Sequence, residues 1–405
     1  MPSSYDVVVV GTRCAGSPTA MLLARAGHRV LMVDRAAFPS DTMSTHLIHP
    51  PGVAALDRWG LLDRLESSGC PPITDYRIDF GPFSVAASPE PAGAISRAYA
   101  PRRTVLDKLL VDAAVESGAE LREGFTVSEV IIEDGVVTGI RGHGHNGGEV
   151  TEQARLVVGA DGLHSTVARA VAASRYHEQP TLEASYYAYW SSLPTEGFEG
   201  YIRPERSWAA FPTHDDLTVV IVGWPRREFE ANRAHVERNY LGMFEMAPDF
   251  AGRIRAASRE SRFVGTGDLP NFFRTPYGPG WALVGDAGYH KDPLTAQGIS
   301  DAFRDSELLA VGLDRWLAGG RRFEDEMADY QGARDVMALP MFELTCQLAS
   351  MEPPPPQMRE LLAALPGNHE AMTGFVSVIA GTVPVPEFFD PANVQRIMAA
   401  ATGES

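Results

Sequence analysis

Six residues near the amino terminus, Gly11-Thr-Arg-Cys-Ala-Gly16, form a turn that can hold a pyrophosphate. Glycine at Gly11 lets the chain turn sharply, and glycine at Gly16 lets the next helix pack closely on a sheet. The amino end of that helix then presents free N–H groups to an anion. Arg13, Cys14 and Ala15 fill the turn between them, with Arg13 where the usual pattern has its middle glycine. Either the backbone approaches the phosphates differently there, or the guanidinium helps neutralise them. Cys14 reads as a small packing residue. Asp34, 23 residues after Gly11, stands at the distance where a carboxylate accepts the ribose hydroxyls of an adenosine, and Arg35 follows it.

These residues need a strand, a helix and a second strand to position them. The apolar run Tyr5 to Val10, the Ala- and Leu-rich run Ser17 to Ala26 and the run His28 to Val33 supply the three. The irregular stretch RAAFPSDTMSTHLIHPPG then suits a ligand cover, followed by one predicted helix from Val53 to Leu65. Further predictions are a helix over Thr104 to Ser117, a strand near Glu120 and Leu121, and a hairpin of Thr126 to Glu133 with Val136 to Arg141. Asp134-Gly135 carries the type I′ turn of that hairpin. His143 and His145 follow in a Gly-rich turn with no third ligand nearby, so a solvated turn is preferred and no metal is expected. A short strand, Leu156 to Gly159, enters GADGLHSTVAR, with a helix from Ser165.

From Glu183 to Trp224 the pattern turns strand-rich and aromatic, which reads as a separate antiparallel sheet. Tyr186, Tyr187, Tyr189, Trp190, Tyr201, Trp208, Phe211 and Trp224 concentrate there. Alternation puts about half on each side, most of them as sheet core; the sharper reading is that some wall a ligand cavity. A second Gly-rich stretch, LVGDAGYHKDPLTAQGI, spans Leu283 to Ile299, and MEPPPPQM later separates two helical patterns.

The chain has 405 residues, 44% hydrophobic and 21% charged, ordinary for a large globular core. A net charge of −17 argues against nucleic acid or an anionic membrane as partner. Three scattered cysteines argue against a disulfide framework and for a cytoplasmic setting, and no run of apolar residues is long enough for a membrane span.

The three motifs, in this order and spacing, resemble the single-component FAD-dependent aromatic hydroxylases and the related geranylgeranyl reductase-like flavoproteins. The resemblance covers about residues 5 to 335. It implies an α/β fold: a Rossmann-like, para-hydroxybenzoate hydroxylase-like FAD-binding domain with an inserted antiparallel β-sheet substrate domain and C-terminal helices. The implied boundaries are 1–75, 96–180 and 265–335 for FAD, 76–95 and 181–264 for substrate, and 336–405 for the helical region. By the same resemblance Asp286 bonds a ribityl hydroxyl of FAD, and Gly298 and Ile299 offer amides to the pyrimidine side of the isoalloxazine. Asp161 and Gly162 form a DG motif for FAD and transient NAD(P)H, Arg103 reaches the phosphates or ribityl chain, and Val127 meets adenine through its backbone. Arg103 as a surface cation and Asp161 as a helix N-terminal acid are the competing readings.

The implied activity is hydroxylation of an aromatic or polycyclic small molecule by an FAD-dependent, NADPH- or NADH-using monooxygenase, with dioxygen, through a flavin hydroperoxide. His46 is the candidate base if the substrate is a phenol, and the backbone at Pro293 is expected near the reacting edge of the flavin. A reductase or dehydrogenase of an isoprenoid or conjugated apolar substrate is the alternative, supported by SWAAFP at Ser207 to Pro212. A flavin-free binding protein is a third reading, opposed by the retained Gly11, Asp34, Asp161 and Asp286. Tyr289 and Ser300 depart from the hydroxylase pattern, which has histidine and asparagine there. YWSSLP lacks both tryptophans of the halogenase signature, and no halogenating lysine stands out, which argues against halogenation. Substrate identity, regiochemistry, nicotinamide preference and oligomeric state, a homodimer among the options, are not legible.

Overall fold

In the computed structural model, residues 5–144 and 147–402 are described. His145 lies outside the described residues, whereas His143 ends the second hairpin strand. A parallel core of five strands runs in the order Trp281–Leu283, Glu149–Gly159, Tyr5–Val10, Val30–Val33 and Glu120–Arg122. Its apolar runs are buried on both faces, as a parallel sheet requires. Register sets where the motifs emerge. Val10 pairs with Gly159 and with Val33, Gly159 pairs with Leu283, and Val33 pairs with Arg122. The carboxyl ends of four strands therefore stop side by side, and each releases its motif on the same edge of the sheet.

The helix after the first strand runs Gly16–Arg25 and packs against Arg103–Glu116 and Gly298–Leu317. The Ser306 hydroxyl ties the last of these to the Ala15 carbonyl at 2.9 Å. The single helix expected over Val53 to Leu65 is two, Pro50–Arg58 and Leu62–Ser67, because Gly60 takes a positive φ of 73° and turns the chain between them. The hairpin turn matches its chemistry, with φ of 49° at Asp134 and 81° at Gly135.

The second large sheet runs Ser258–Arg259, Glu183–Ser191, Thr218–Pro225, Arg206–Pro212, Phe198–Arg203, Tyr76–Asp79 and Ser84–Ala87, with Val264–Thr266 also on Glu183–Ser191. It departs from pure antiparallel order at one place, where Phe198–Arg203 runs parallel to Tyr76–Asp79. Both of its faces are buried. Tyr186, Trp190, Tyr201, Trp208 and Trp224 pack under helices of residues 236–256, while Tyr187, Tyr189 and Phe211 pack with Leu47, Ala296 and the C-terminal helices. One strand thus divides its aromatic residues between two cores by simple alternation. The helix Phe323–Ala349 runs unbroken through residue 336, where a separate C-terminal region was expected to begin.

Candidate cofactor and active site

Three glycine turns interlock at the edge of the parallel sheet. At Gly11, φ is +92°, and a Cβ there would come within 2.5 Å of the Ala160 oxygen. A Cβ on Gly16 would overlap the Gly11 carbonyl oxygen, and one on Gly285 would approach the Ala15 Cβ to 2.7 Å. Each glycine leaves out a side chain where a neighbouring turn, or in the case of Gly16 its own, comes too close for one.

The polar groups then divide into those bound within the chain and those left open. Asp34 is buried; it accepts the Thr12 N–H at 2.8 Å through Oδ2 and the Ala36 N–H at 2.8 Å through Oδ1. The Thr12 hydroxyl donates to Oδ2 as well at 3.3 Å, so of about four acceptor positions on the carboxylate one remains for a ribose hydroxyl. Arg35 beside it is exposed. Phe125 donates its N–H to the Asp34 carbonyl at 2.8 Å, which brings the strand of Val127 alongside, and a register shift between Val127 and Glu129 loosens the ladder there. Asp286 is exposed between buried Gly285 and Ala287. The Gly16–Arg25 and Gly298–Leu317 helices both begin without a side-chain cap, and Gly298 faces open space while Ile299 packs inward. Their amino ends are free to meet an anion or an electron-rich ring.

Two expectations change in detail. Arg13 is ion-paired to Asp107 and donates to the Ser40 hydroxyl at 2.8 Å, with its guanidinium 5.3 Å from the Phe38 ring centre. Asp107 also receives Arg103 through Nε at 3.0 Å and Nη2 at 2.8 Å, and contacts the Cys14 thiol at 3.5 Å. One fully buried carboxylate thus organises two guanidiniums, leaving one net positive charge beside the glycine turn. Arg103 is buried and is not a surface cation. Cys14 is more than filler, although burial pushes its thiol up to about 12 and keeps it unreactive. Asp161, by contrast, accepts the Ser165 hydroxyl and the N–H groups of Thr166 at 2.6 Å and Val167 at 3.3 Å. Both its oxygens cap the start of its own helix, and burial raises its pKa. Gly162 keeps a positive φ of 77°.

His46 lies in the loop covering this edge, fully buried and with a φ of 66° that is rare for a side chain of its size. Its Nε2 stands 2.7 Å from the Tyr189 hydroxyl, its ring meets Tyr187 and Tyr189 edge-on, and its Nδ1 has no hydrogen-bond partner. Burial, reinforced by Arg103, lowers its pKa to about 3, so the ring is neutral. His49 shows the contrast: Nδ1 bonds the Tyr76 hydroxyl at 2.9 Å and Nε2 the Thr295 carbonyl at 3.0 Å. Its hydrogen bonds are complete and it serves to tie the loop to the Pro293–Thr295 turn. Pro293 itself is half-buried at the start of that turn.

A model of the family described as FAD binding domain matches residues 4–342. The chain belongs to that family. As an FAD-dependent oxidoreductase, it is 28% identical over 332 residues to a menaquinone reductase of Mycolicibacterium smegmatis, covering 76% of each chain. It is also 28% identical over 341 residues to a 6-methylpretetramide 4-monooxygenase of Streptomyces rimosus, again covering 76% of each. Its fold is shared with a myxobacterial chondrochloren halogenase, at a TM-score of 0.78 and 21% identity over 100% of this chain and 98% of that one. The interlocked turns, the two uncapped helices and exposed Asp286 fit FAD. For this FAD-binding-domain protein, Asp286→Ala is expected to weaken FAD retention about 10- to 100-fold, the loss of a charge-assisted hydrogen bond. The flavin-to-protein absorbance ratio after purification measures it, and full occupancy in the variant would remove Asp286 from the site.

Sequence reading did not find Asp107 as the shared anchor or Tyr189 as the partner of His46. Among the described residues no group of acidic, histidine and cysteine side chains could hold a metal ion, and no helix is long and apolar enough to cross a membrane.

Proposed function

We propose that the protein is an NAD(P)H-dependent FAD monooxygenase acting on an aromatic or polycyclic small molecule. The observation that carries this reading is the buried, neutral His46, held against Tyr189 and left with a free nitrogen. The Tyr189 ring also meets the Tyr187 ring edge-on, 5.8 Å between centres. In the tautomer with the proton on Nε2, His46 donates to the Tyr189 oxygen and the unpartnered Nδ1 keeps its lone pair for a donor on the substrate, such as a phenol or enol hydroxyl. A ring whose protonated form is this costly is a poor proton store, so its part is to orient and polarise that hydroxyl. The arginine pair on Asp107, the uncapped helix starts and Asp34 hold the cofactor, and Asp286 takes its ribityl chain. FAD, when bound, supplies the electron transfer from nicotinamide and the activation of dioxygen.

Two neighbouring chemistries have less support. Halogenation by this fold, as the sequence resemblance frames it, calls for an accessible lysine amine, and the chain contains two lysines. Lys291 is buried against Asp301 and the Tyr289 hydroxyl, and Lys108 is paired with Asp112 on an outer helix. The reductase reading leaned on SWAAFP as a tunnel wall, but Trp208 stacks on Tyr201 at 4.8 Å on the opposite face of the sheet. Phe211 remains on the face with His46, and the menaquinone reductase relative keeps that reading as the second one.

The deciding experiment couples NADPH or NADH loss to oxygen consumption in the presence of phenolic polycycles. Substrate-dependent oxygen incorporation supports the monooxygenase; turnover of a conjugated apolar substrate under strict anaerobiosis supports the reductase instead. His46→Ala is expected to lower kcat about a hundredfold with FAD occupancy unchanged. Because His46 stays neutral well below pH 5, its loss should scale turnover evenly from about pH 5 to 9 without moving a limb of the profile. Wild-type turnover in the variant would end its role.

A further inference from the structure

Lys291 is the more buried of the chain's two lysines and stands two residues before Pro293. Its ammonium donates to the Tyr289 hydroxyl at 2.8 Å and ion-pairs with Asp301. Tyr289, where the hydroxylase pattern has histidine, thus supplies an acceptor for that ammonium, whose nitrogen also stands 4.9 Å from the phenol ring centre. Asp301 belongs to the first turn of the Gly298–Leu317 helix, so its charge sits within about one pitch, 5.4 Å, of the uncapped amino end. Arg304 gives Nη1 to Asp301 at 2.8 Å, and gives Nε at 2.9 Å and Nη2 at 2.7 Å to Asp305. Two cations therefore face two carboxylates in one contiguous cluster at the start of this helix.

A carboxylate in the first turn suits the helix dipole but opposes an electron-rich ring at the same amino end. Alone, Asp301 would cancel part of the positive potential that the Gly298 and Ile299 amides offer there. Burial pushes its carboxyl up, yet Lys291 and Arg304 outweigh burial and hold it below the usual carboxylate range, so its charge is present and matched. Ser300 in the same turn brings no charge, and its hydroxyl has no hydrogen-bond partner. A buried ion pair returns little net stability, and the larger consequence of this one is the field at the helix start. We propose that Lys291 is a positioning residue for charge: by neutralising Asp301 it raises the reduction potential of the bound flavin. This rests on the reading that the Gly298 end of the helix meets the pyrimidine side of the isoalloxazine. Reduction adds negative charge to that ring, so an unmatched carboxylate nearby disfavours the reduced form and an unmatched ammonium favours it. Charges buried to this degree are screened little by salt.

Spectroelectrochemical titration of the FAD-loaded protein, without substrate or oxygen, reads the midpoint potential. Lys291→Met is expected to lower the ratio of reduced to oxidised flavin about tenfold at a fixed potential, which is about 30 mV for a two-electron couple. Asp301→Asn is expected to raise it by a similar factor, the double variant to return to the wild-type potential, and Lys291→Arg to stay there. Structural damage would accumulate in the double variant, whereas opposite charges cancel, so the return separates field from packing. Single variants that hold FAD at an unmoved potential, or that both move it the same way, overturn the proposal. If neither single variant holds FAD, the pair builds the site and the proposal falls. A wild-type protein that binds no FAD would instead count against the cofactor reading, and the oxygen-coupling assay decides the monooxygenase independently of any potential.

Discussion

Gly16→Ala is expected to give a protein that has lost about 3 kcal/mol of stability and most of its FAD. The added methyl would overlap the Gly11 carbonyl oxygen and press on Ala160 Cβ at 3.1 Å. Neither neighbour is the free end of a flexible side chain. Relief requires the helix start to move off the sheet, and that movement separates its amino end from the Gly11 and Ala160 turns. Chemical denaturation with an unchanged m-value would measure the stability, and FAD titration of the apoprotein the affinity. A variant with wild-type affinity would show that the interlock of the three turns is not what shapes the site.

The second large effect is expected at Asp107. Its carboxylate is fully buried and holds Arg13 and Arg103 together, so Asp107→Ala leaves a buried guanidinium at Arg103 without a counter-charge. Removing one partner of a buried pair costs about 3–5 kcal/mol, far more than loss of a surface pair. Adding Arg13→Ala to that variant should restore part of the stability by removing one of the two repelling cations. Denaturant unfolding of the single and double variants gives the coupling directly. A single-variant loss below about 1 kcal/mol would mean that the two arginines find other partners.

Much of the cofactor side was legible because its signals are local. Gly11, Gly16 and Asp34 act through a strand, a turn and a helix written in consecutive residues, and Asp286 through the strand just before it. What pairs with what was not legible, because the partners are far apart in the chain. Arg13 finds Asp107 across 94 residues, and His46 finds Tyr189 across 143. Asp161 shows the opposite failure. Its sequence neighbourhood fits a DG motif, yet the same neighbourhood also supplies the Ser165 hydroxyl and two amides that occupy its oxygens. Alternation correctly split the aromatic strands, but it could not say that a second layer of helices would cover the far face and take Trp208 with it.

The face of the sheet that carries Tyr187 and Tyr189 is closed by residues from Leu361 to Ile397, whereas the family match ends at residue 342. Polar contacts add to that packing: the Gln297 side chain donates to the Ile379 carbonyl at 2.7 Å, and Glu90 donates its N–H to the Ser377 hydroxyl at 2.8 Å. The tail beyond the family match thus shares one hydrophobic core with that face of the sheet. A change of side chain in the tail therefore reaches the face of Tyr187 and Tyr189 through that core. The exposed prolines 353–356 lead into this tail, so chimeras joined there would show how far the sheet face depends on what covers it.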